Sequence, residues 1–162
     1  MRWRSLFTEA AAVMLLVFIL SNIISWIRAP EHRPESLPET TVRLVDGTLY
    51  RLKKGRPLVI HFWAAWCRVC RAEMSNIQHV AARYDVLTVA VESGDDTDVK
   101  RYMREHGIDL KVLNDRDGLW RKRFGVAVFP TTFVYDAKGA LRFIETGYTT
   151  TAGLLARMRL AE

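Results

Sequence analysis

Two cysteines, Cys67 and Cys70, stand with two residues between them, and the chain of 162 residues contains no other cysteine. A secreted protein held together by disulfides would carry more cysteines at scattered positions. A single close pair indicates either thiol–disulfide exchange or part of a metal site.

The surrounding residues place this pair at the start of a helix. Residues 57–63 form a short apolar run typical of a buried strand, and helical spacing begins near Cys67. The free N–H groups and the dipole at a helix N-terminus stabilise a thiolate, the species that attacks disulfides. Arg68 and Arg71 add positive charge in the same direction. We therefore predict that Cys67 is the exposed nucleophile and that Cys70, one turn further along, resolves the mixed disulfide.

Metal and haem chemistry fit the sequence less well. Structural zinc needs four ligands, and neither His61 nor His79 has zinc-finger spacing from the cysteine pair. Covalent haem attachment needs a histidine directly after the second cysteine, where this chain has Arg71. Two thiols can still hold a soft ion such as Cu(I), so a copper-binding module remains an alternative. For the exchange reaction itself we expect no cofactor and no metal.

Hydrophobic periodicity and turn residues predict the elements that position the pair. Hairpins are predicted where residues 41–45 and 49–52 flank Asp46-Gly47, and again where strands at residues 129–135 and 141–146 meet. Further strands are predicted at residues 86–91 and 110–113, and helices at residues 67–84, 95–106, 118–124 and 150–160. Parallel βαβ units combined with hairpins predict an α/β sandwich with a central mixed sheet.

The N-terminal segment is predicted to be a membrane anchor. Residues 6–27 are almost wholly apolar, and about 20 such residues cross a bilayer as a helix. Trp3 and Trp26 lie near its two ends, where indole rings favour the interface. A cleaved signal peptide would have a shorter apolar region and a small-x-small cleavage site, which residues 25–28 do not offer.

The segment after the anchor contains Pro30, Pro34 and Pro38, which predict an extended linker. The predicted organisation is a cytoplasmic tail and transmembrane helix at 1–28, a linker at 29–40 and a catalytic domain at 41–162.

The formal net charge of +6 and the pI of about 9.6 do not indicate a nucleic-acid partner. The chain has no dense Lys/Arg run and no basic helix interleaved with aromatic residues. Arg2, Arg4, Arg28 and Arg33 flank the apolar segment and suit lipid headgroups instead. Their distribution leans only weakly toward a cytoplasmic N-terminus.

Two segments resemble the fingerprints of thioredoxin-like proteins. Residues 62–70 (FWAAWCRVC) resemble the active-site segment, and residues 125–133 (GVAVFPTTF) resemble the segment whose proline has a cis peptide bond beside the CxxC. Residues 89–94, 113–115 and 147–150 are most similar to the membrane-anchored suppressor-of-copper-sensitivity protein D group, and the leading hairpin also resembles that of the cytochrome c maturation thioredoxins. This resemblance implies a thioredoxin fold with an N-terminal β-hairpin extension and one N-terminal transmembrane helix.

The resemblance also implies roles for particular residues. Cys67 and Cys70 would form the redox-active disulfide, and the client-binding groove would be lined by Trp66, Phe129 and Pro130. Glu73 would take the proton from Cys70, with which it shares a helix face at a spacing of three residues. The alternative for Glu73 is a solvated carboxylate in the first helical turn. His61 occupies the position of a buried acid in thioredoxin, and its alternative is a hydrogen-bonded core histidine.

The expected function is that of a periplasmic, membrane-anchored thiol–disulfide oxidoreductase in the inner membrane. Its expected partners are oxidised client proteins and a transmembrane thiol–disulfide electron carrier. A cytochrome c maturation thioredoxin and a protein disulfide oxidase remain alternatives, although the spacing from Cys70 to Pro130 leaves no room for the large helical insertion usual in oxidases. Arg68-Val69 replaces the more usual Gly-Pro or Pro-Pro, so the redox potential must be measured.

Overall fold

The structure, a computed structural model, describes residues 33–162 together with eight positions near the N-terminus: Glu9, Ala12, Val13, Leu15, Leu16, Ile19, Leu20 and Ile23. The predicted membrane span at residues 6–27 and the first part of the predicted linker therefore lie largely outside the described residues. Within the part of the chain that is described, no helix has both the length and the apolarity needed to span a bilayer.

The order of elements agrees with the order predicted from the sequence. Strand β5 begins one residue later than predicted and ends two residues later. The elements are β1 (Thr41–Arg43), β2 (Leu49–Arg51), β3 (Leu58–Trp63), α1 (Arg68–Ala81), β4 (Asp85–Val91), α2 (Asp96–Glu105), β5 (Lys111–Asp115), α3 (Leu119–Arg123), β6 (Thr131–Tyr135), β7 (Leu141–Thr146) and α4 (Thr151–Leu160).

A five-stranded mixed sheet in the order β5-β4-β3-β6-β7 forms the centre of the domain. The pairs β3–β4 and β4–β5 are parallel, whereas β3–β6 and β6–β7 are antiparallel. All six residues of β3 are buried, as expected for a parallel strand covered on both faces. The thioredoxin fold predicted from the sequence is confirmed for the described residues.

The hairpin β1–β2 is a separate two-stranded sheet. Its turn is held by Asp46, whose Oδ1 accepts hydrogen bonds from both the backbone N–H and the hydroxyl of Thr48. The N–H of Val45 donates to the carbonyl of Val112, which ties the hairpin to the edge strand β5.

Apolar clusters cover both faces of the central sheet. On one face, Val59 and Val134 pack with Ile77 of α1 and Leu154 of α4. On the other face, a larger cluster joins sheet residues such as Phe62 to the hairpin and to the region after α3. The helix α1 is therefore fixed against the sheet along its length, and its N-terminus is held at the edge where β3 ends.

The end of the predicted linker packs on the domain. Ser36 forms an isolated bridge with Ala140, and the N–H of Leu37 donates to the carbonyl of Gly139. The hydroxyl of Tyr135 donates to the carbonyl of Pro34, and Leu37 is buried. The packed unit thus begins ahead of the boundary predicted at Thr41, because backbone groups of this segment pair with the β6–β7 turn.

Candidate active site

Cys67 and Cys70 form a disulfide at the N-terminus of α1, with their Cα atoms 5.3 Å apart. Cys67 is the N-cap residue, and its Sγ accepts a hydrogen bond from the backbone N–H of Cys70 at 3.1 Å. The exposed fraction is 8% for Cys67 and 0% for Cys70. This arrangement places a donor and the helix dipole at the more accessible sulfur, which favours Cys67 as the thiolate.

An aromatic pair borders the disulfide. The rings of Trp66 and Phe129 meet edge to face with centroids 5.6 Å apart, and Phe129 packs against the cluster that contains both cysteines. The peptide bond between Phe129 and Pro130 is cis, as predicted. Since Thr131 pairs with Phe62 at the end of β3, Pro130 lies at the same edge of the sheet as the cysteines. The structure thus places Trp66 and Phe129 beside the cysteine cluster and Pro130 at the same end of the sheet.

Glu73 is fully buried on α1, which excludes the solvated alternative. Its Oε1 accepts a hydrogen bond from the backbone N–H of Thr149 at 2.9 Å, and its Oε2 has no partner among the described residues. Burial raises the pKa of Glu73 to about 8, and the nearby Glu145 carboxylate acts in the same direction, while the Thr149 N–H opposes them. A buried carboxyl that titrates near neutral pH can both release and accept a proton at physiological pH.

A polar row lies across the sheet on the same face. His61 on β3 is opposite Thr132 on β6, and Thr132 is opposite Glu145 on β7. The His61 Nδ1 is 2.9 Å from the Thr132 hydroxyl, which supports the hydrogen-bonded interpretation, but the His61 Nε2 has no partner among the described residues. Burial lowers the pKa of His61 to about 3, so this histidine is neutral at pH 7.

The charge at the end of this row is shared between two elements. Glu145 forms an ion pair with Arg157 of α4, and both side chains are largely buried. Burial raises the pKa of Glu145, and Arg157 opposes that shift. The guanidinium also donates to the carbonyl of Gly153 at 3.0 Å. Arg157 therefore stabilises the Glu145 carboxylate, the nearby negative charge that acts on Glu73.

Sequence patterns did not indicate a second ion pair beside the groove. Glu92, at the end of β4, has a positive φ of 46°, and its Oε1 binds the Arg121 Nη1 at 2.7 Å. The Nε of Arg121 donates to the carbonyl of Val126, and its guanidinium lies 5.8 Å from the centre of the Phe129 ring. Such a pair joins residues 29 positions apart, and neither side chain belongs to a local motif.

Thr149 was also missed, because its contribution is a backbone N–H. That group stands 76 residues from the carboxylate it binds. The only local signal in this region is Thr150, whose hydroxyl accepts from the Gly153 N–H and caps α4.

The chain is similar to thioredoxin-like and thiol:disulfide interchange proteins. A profile of the AhpC/TSA family matches residues 35–144. The chain is 28% identical to a thioredoxin-like protein of Haemophilus influenzae over 166 aligned positions, covering 100% of this chain and 98% of that protein. It is 26% identical to the thiol:disulfide interchange protein DsbE of Xylella fastidiosa, covering 88% of this chain and 78% of the other.

Among solved structures, the exposed lipoprotein thioredoxin of Streptococcus pneumoniae is similar at a TM-score of 0.66 and 29% identity. The alignment covers 75% of this chain and 98% of that one.

Proposed function

The chain belongs to the AhpC/TSA family and is a thioredoxin-like thiol–disulfide oxidoreductase, and from that premise we propose that it reduces disulfides of client proteins outside the cytoplasm while anchored to the inner membrane. The observation that carries the thiol–disulfide exchange is the position of Cys67. It caps α1 and accepts a hydrogen bond from the Cys70 N–H, so the attacking thiolate is stabilised where it is most accessible.

The proposed cycle moves two electrons from the dithiol to the client. The Cys67 thiolate attacks one sulfur of the client disulfide, and the client's other sulfur leaves as a thiolate and takes a proton. Cys70 loses its proton and attacks Cys67, which releases the second client sulfur and forms the Cys67–Cys70 disulfide. A transmembrane dithiol carrier then returns two electrons and two protons to the pair.

The reducing direction is favoured by the length of chain between the cysteines and the cis proline. Between Cys70 and Pro130 the structure holds only the rest of α1, then β4, α2, β5 and α3. A large helical insertion of the kind found in oxidases of this fold is absent from this described region. The leading hairpin also resembles that of the cytochrome c maturation thioredoxins, which belong to a membrane-anchored, reducing branch of thioredoxin-like proteins, and this points the same way.

The reduction potential of the Cys67–Cys70 pair tests this direction. The full chain, purified in a non-ionic detergent, is equilibrated with glutathione redox buffers, and free thiols are then alkylated and counted. A potential near that of thioredoxin, about −270 mV, supports a reductant. A value near about −120 mV is that of a strong oxidant and refutes the reducing role. The Cys67→Ser variant reports the background.

The proposed anchor and location rest on the sequence. Residues 6–27 supply enough apolar length for one span, and charged residues follow it directly. A client involved in cytochrome c maturation is the second candidate, favoured by the resemblance of the leading hairpin to that of the cytochrome c maturation thioredoxins.

A further inference from the structure

The disulfide is surrounded by apolar side chains that no part of the described chain covers. Trp66 is 62% exposed, Val69 is 46% exposed and Tyr148 is 54% exposed. Trp66 directly precedes Cys67, and Val69 lies between the two cysteines. The loop of Tyr148 adjoins the cis proline, because the N–H of Gly147 donates to the Pro130 carbonyl. Large apolar side chains exposed together around a reactive group are typical of a surface that binds a partner.

Two arginine side chains next to the cysteines have no counter-ion among the described residues. Arg68 and Arg71 directly follow the two cysteines, and both are exposed. Neither guanidinium forms an ion pair or hydrogen bond with any described residue, and the first turn of α1 contains no acidic residue.

Acidic groups do lie close by, in the segment that follows β4. The Ser93 hydroxyl there accepts a hydrogen bond from the Ala65 N–H, so this segment adjoins the active-site loop. Its carboxylates are already engaged. Asp95 accepts hydrogen bonds from two backbone N–H groups of α2, and Asp96 accepts one from the side-chain amide of Asn114. Asp98 pairs with Arg101, and Glu92 pairs with Arg121. None of these carboxylates pairs with Arg68 or Arg71, so the two cations next to the cysteines keep no counter-ion among the described residues.

We propose that Arg68 and Arg71, together with the apolar surface formed by Trp66, Val69, Phe129 and Tyr148, select client segments in which the disulfide cysteine is flanked by acidic and apolar residues. This inference rests on the proposed reductase function and names its substrate class. Charge complementarity acts mainly on the rate of association, because opposite charges steer encounter and like charges oppose it. The apolar surface then holds the client segment beside Cys67 during attack.

Single-turnover reduction of matched peptides tests this selection. The full chain is pre-reduced, freed of reductant and mixed with peptides that contain one internal disulfide and differ only in whether Glu or Lys flanks one cysteine. At a salt concentration of about 0.01 M we expect the Glu peptide to react on the order of tenfold faster. The ratio should fall towards one at about 1 M salt, where charges are screened within roughly 3 Å.

Charge reversal at the site supplies the decisive comparison. Arg68→Glu should invert or abolish the preference for the Glu peptide. Arg83→Glu is the matched control, because Arg83 is also exposed and lies beyond the far end of α1, a helix of 14 residues and so about 20 Å long. It should leave the ratio as in the unmodified chain.

The apolar half of the surface is tested with a third peptide. The matched peptides carry a Phe next to the variable Glu or Lys, and the third peptide keeps the Glu but has Gly in place of that Phe. It should react several-fold more slowly. Trp66→Ala should remove most of that difference while leaving the Glu-to-Lys ratio in place.

The outcomes separate the two levels of the proposal. Equal rates for the Glu and Lys peptides, with insulin still reduced, overturn the selection and leave the reductase function standing. Failure to reduce insulin or any of the peptides overturns the proposed function and the selection with it. An Arg83 variant that changes the ratio as much as the Arg68 variant shows a general charge effect and also overturns the selection.

Discussion

Replacing Glu73 by Gln should slow the second chemical step and remove the part of its pH dependence that follows the ionisation of Glu73. Gln keeps the size of the side chain and can still accept the hydrogen bond from Thr149, but it cannot take a proton from Cys70. Attack by Cys67 precedes that proton transfer, so the rate of the first step should change little. Mixed disulfides should therefore accumulate in the Glu73→Gln variant.

The size of the effect follows from the pKa of Glu73, which burial raises to about 8. At pH 7 about one tenth of the side chains are ionised, and at pH 9 about nine tenths, so the rate of resolution should rise about ninefold over this range. General acid–base catalysis contributes about 10²–10⁴-fold to a proton-transfer step. With one tenth of the base ionised, the loss at pH 7 should still be at least about tenfold.

Stopped-flow reaction of the reduced chain with an excess of an aromatic disulfide reads the two steps separately. Release of the first aromatic thiolate depends on reagent concentration and reports attack by Cys67. Release of the second does not, and it reports resolution by Cys70. Glu105→Gln is the control, since Glu105 is exposed at the end of α2. If the Glu73 variant keeps an unchanged second phase with the same inflection, the pH dependence belongs to Cys70 alone and Glu73 is not the base.

Three further outcomes are expected. Cys70→Ser should trap clients as mixed disulfides visible on non-reducing gels, whereas Cys67→Ser should trap few or none, and equal trapping would reverse the assignment of the two thiols. His61 binds protons in the unfolded chain between its ordinary pKa of 6.5 and its folded pKa of about 3, so its contribution to stability is present above pH 6.5 and lost as pH falls through that window. Urea titrations of the oxidised protein at pH 7.5 and pH 4 should therefore show that His61→Asn removes about 3 kcal/mol of the acid-induced loss, and an unchanged loss would place His61 outside this linkage. A reporter active only in the periplasm, fused after Thr40, should be active if residues 6–27 form the proposed anchor, and a well-expressed but inactive fusion would refute that topology.

The order of elements could be predicted because local patterns specify it. A buried apolar run gives β3, Asp46-Gly47 gives the hairpin turn, and helical spacing after Cys67 gives α1. The position of the cysteine pair follows from the same patterns, since a strand followed by a helix leaves the intervening loop at the sheet edge. The proline of the second fingerprint was identified by resemblance rather than by a local pattern.

The depth of Glu73 could not be predicted, because it depends on residues far along the chain. Helical spacing places Glu73 on the face of Cys70, but that face is closed by the loop that contains Thr149 and by α4. The same is true of the pair between Glu92 and Arg121, which forms only after α3 is placed beside the end of β4. Contacts between side chains of different elements produce no periodic pattern in the sequence, so sequence patterns cannot predict them.

The polar row explains how Glu73 can serve both directions of exchange. At pH 7 His61 is neutral and Glu73 is mostly protonated, while Glu145 is paired with Arg157. An ionised Glu73 therefore has no cationic partner among the described residues, because Arg157 is already engaged by Glu145 and the Gly153 carbonyl. An unpaired buried carboxylate is costly, so a proton taken from Cys70 during resolution is held firmly. When a donor dithiol later opens the disulfide, the same carboxyl can return that proton to the leaving Cys70 sulfur. In the proposed cycle, the burial that raises the pKa of Glu73 would thus let one group serve as the base of resolution and as the acid of its reverse.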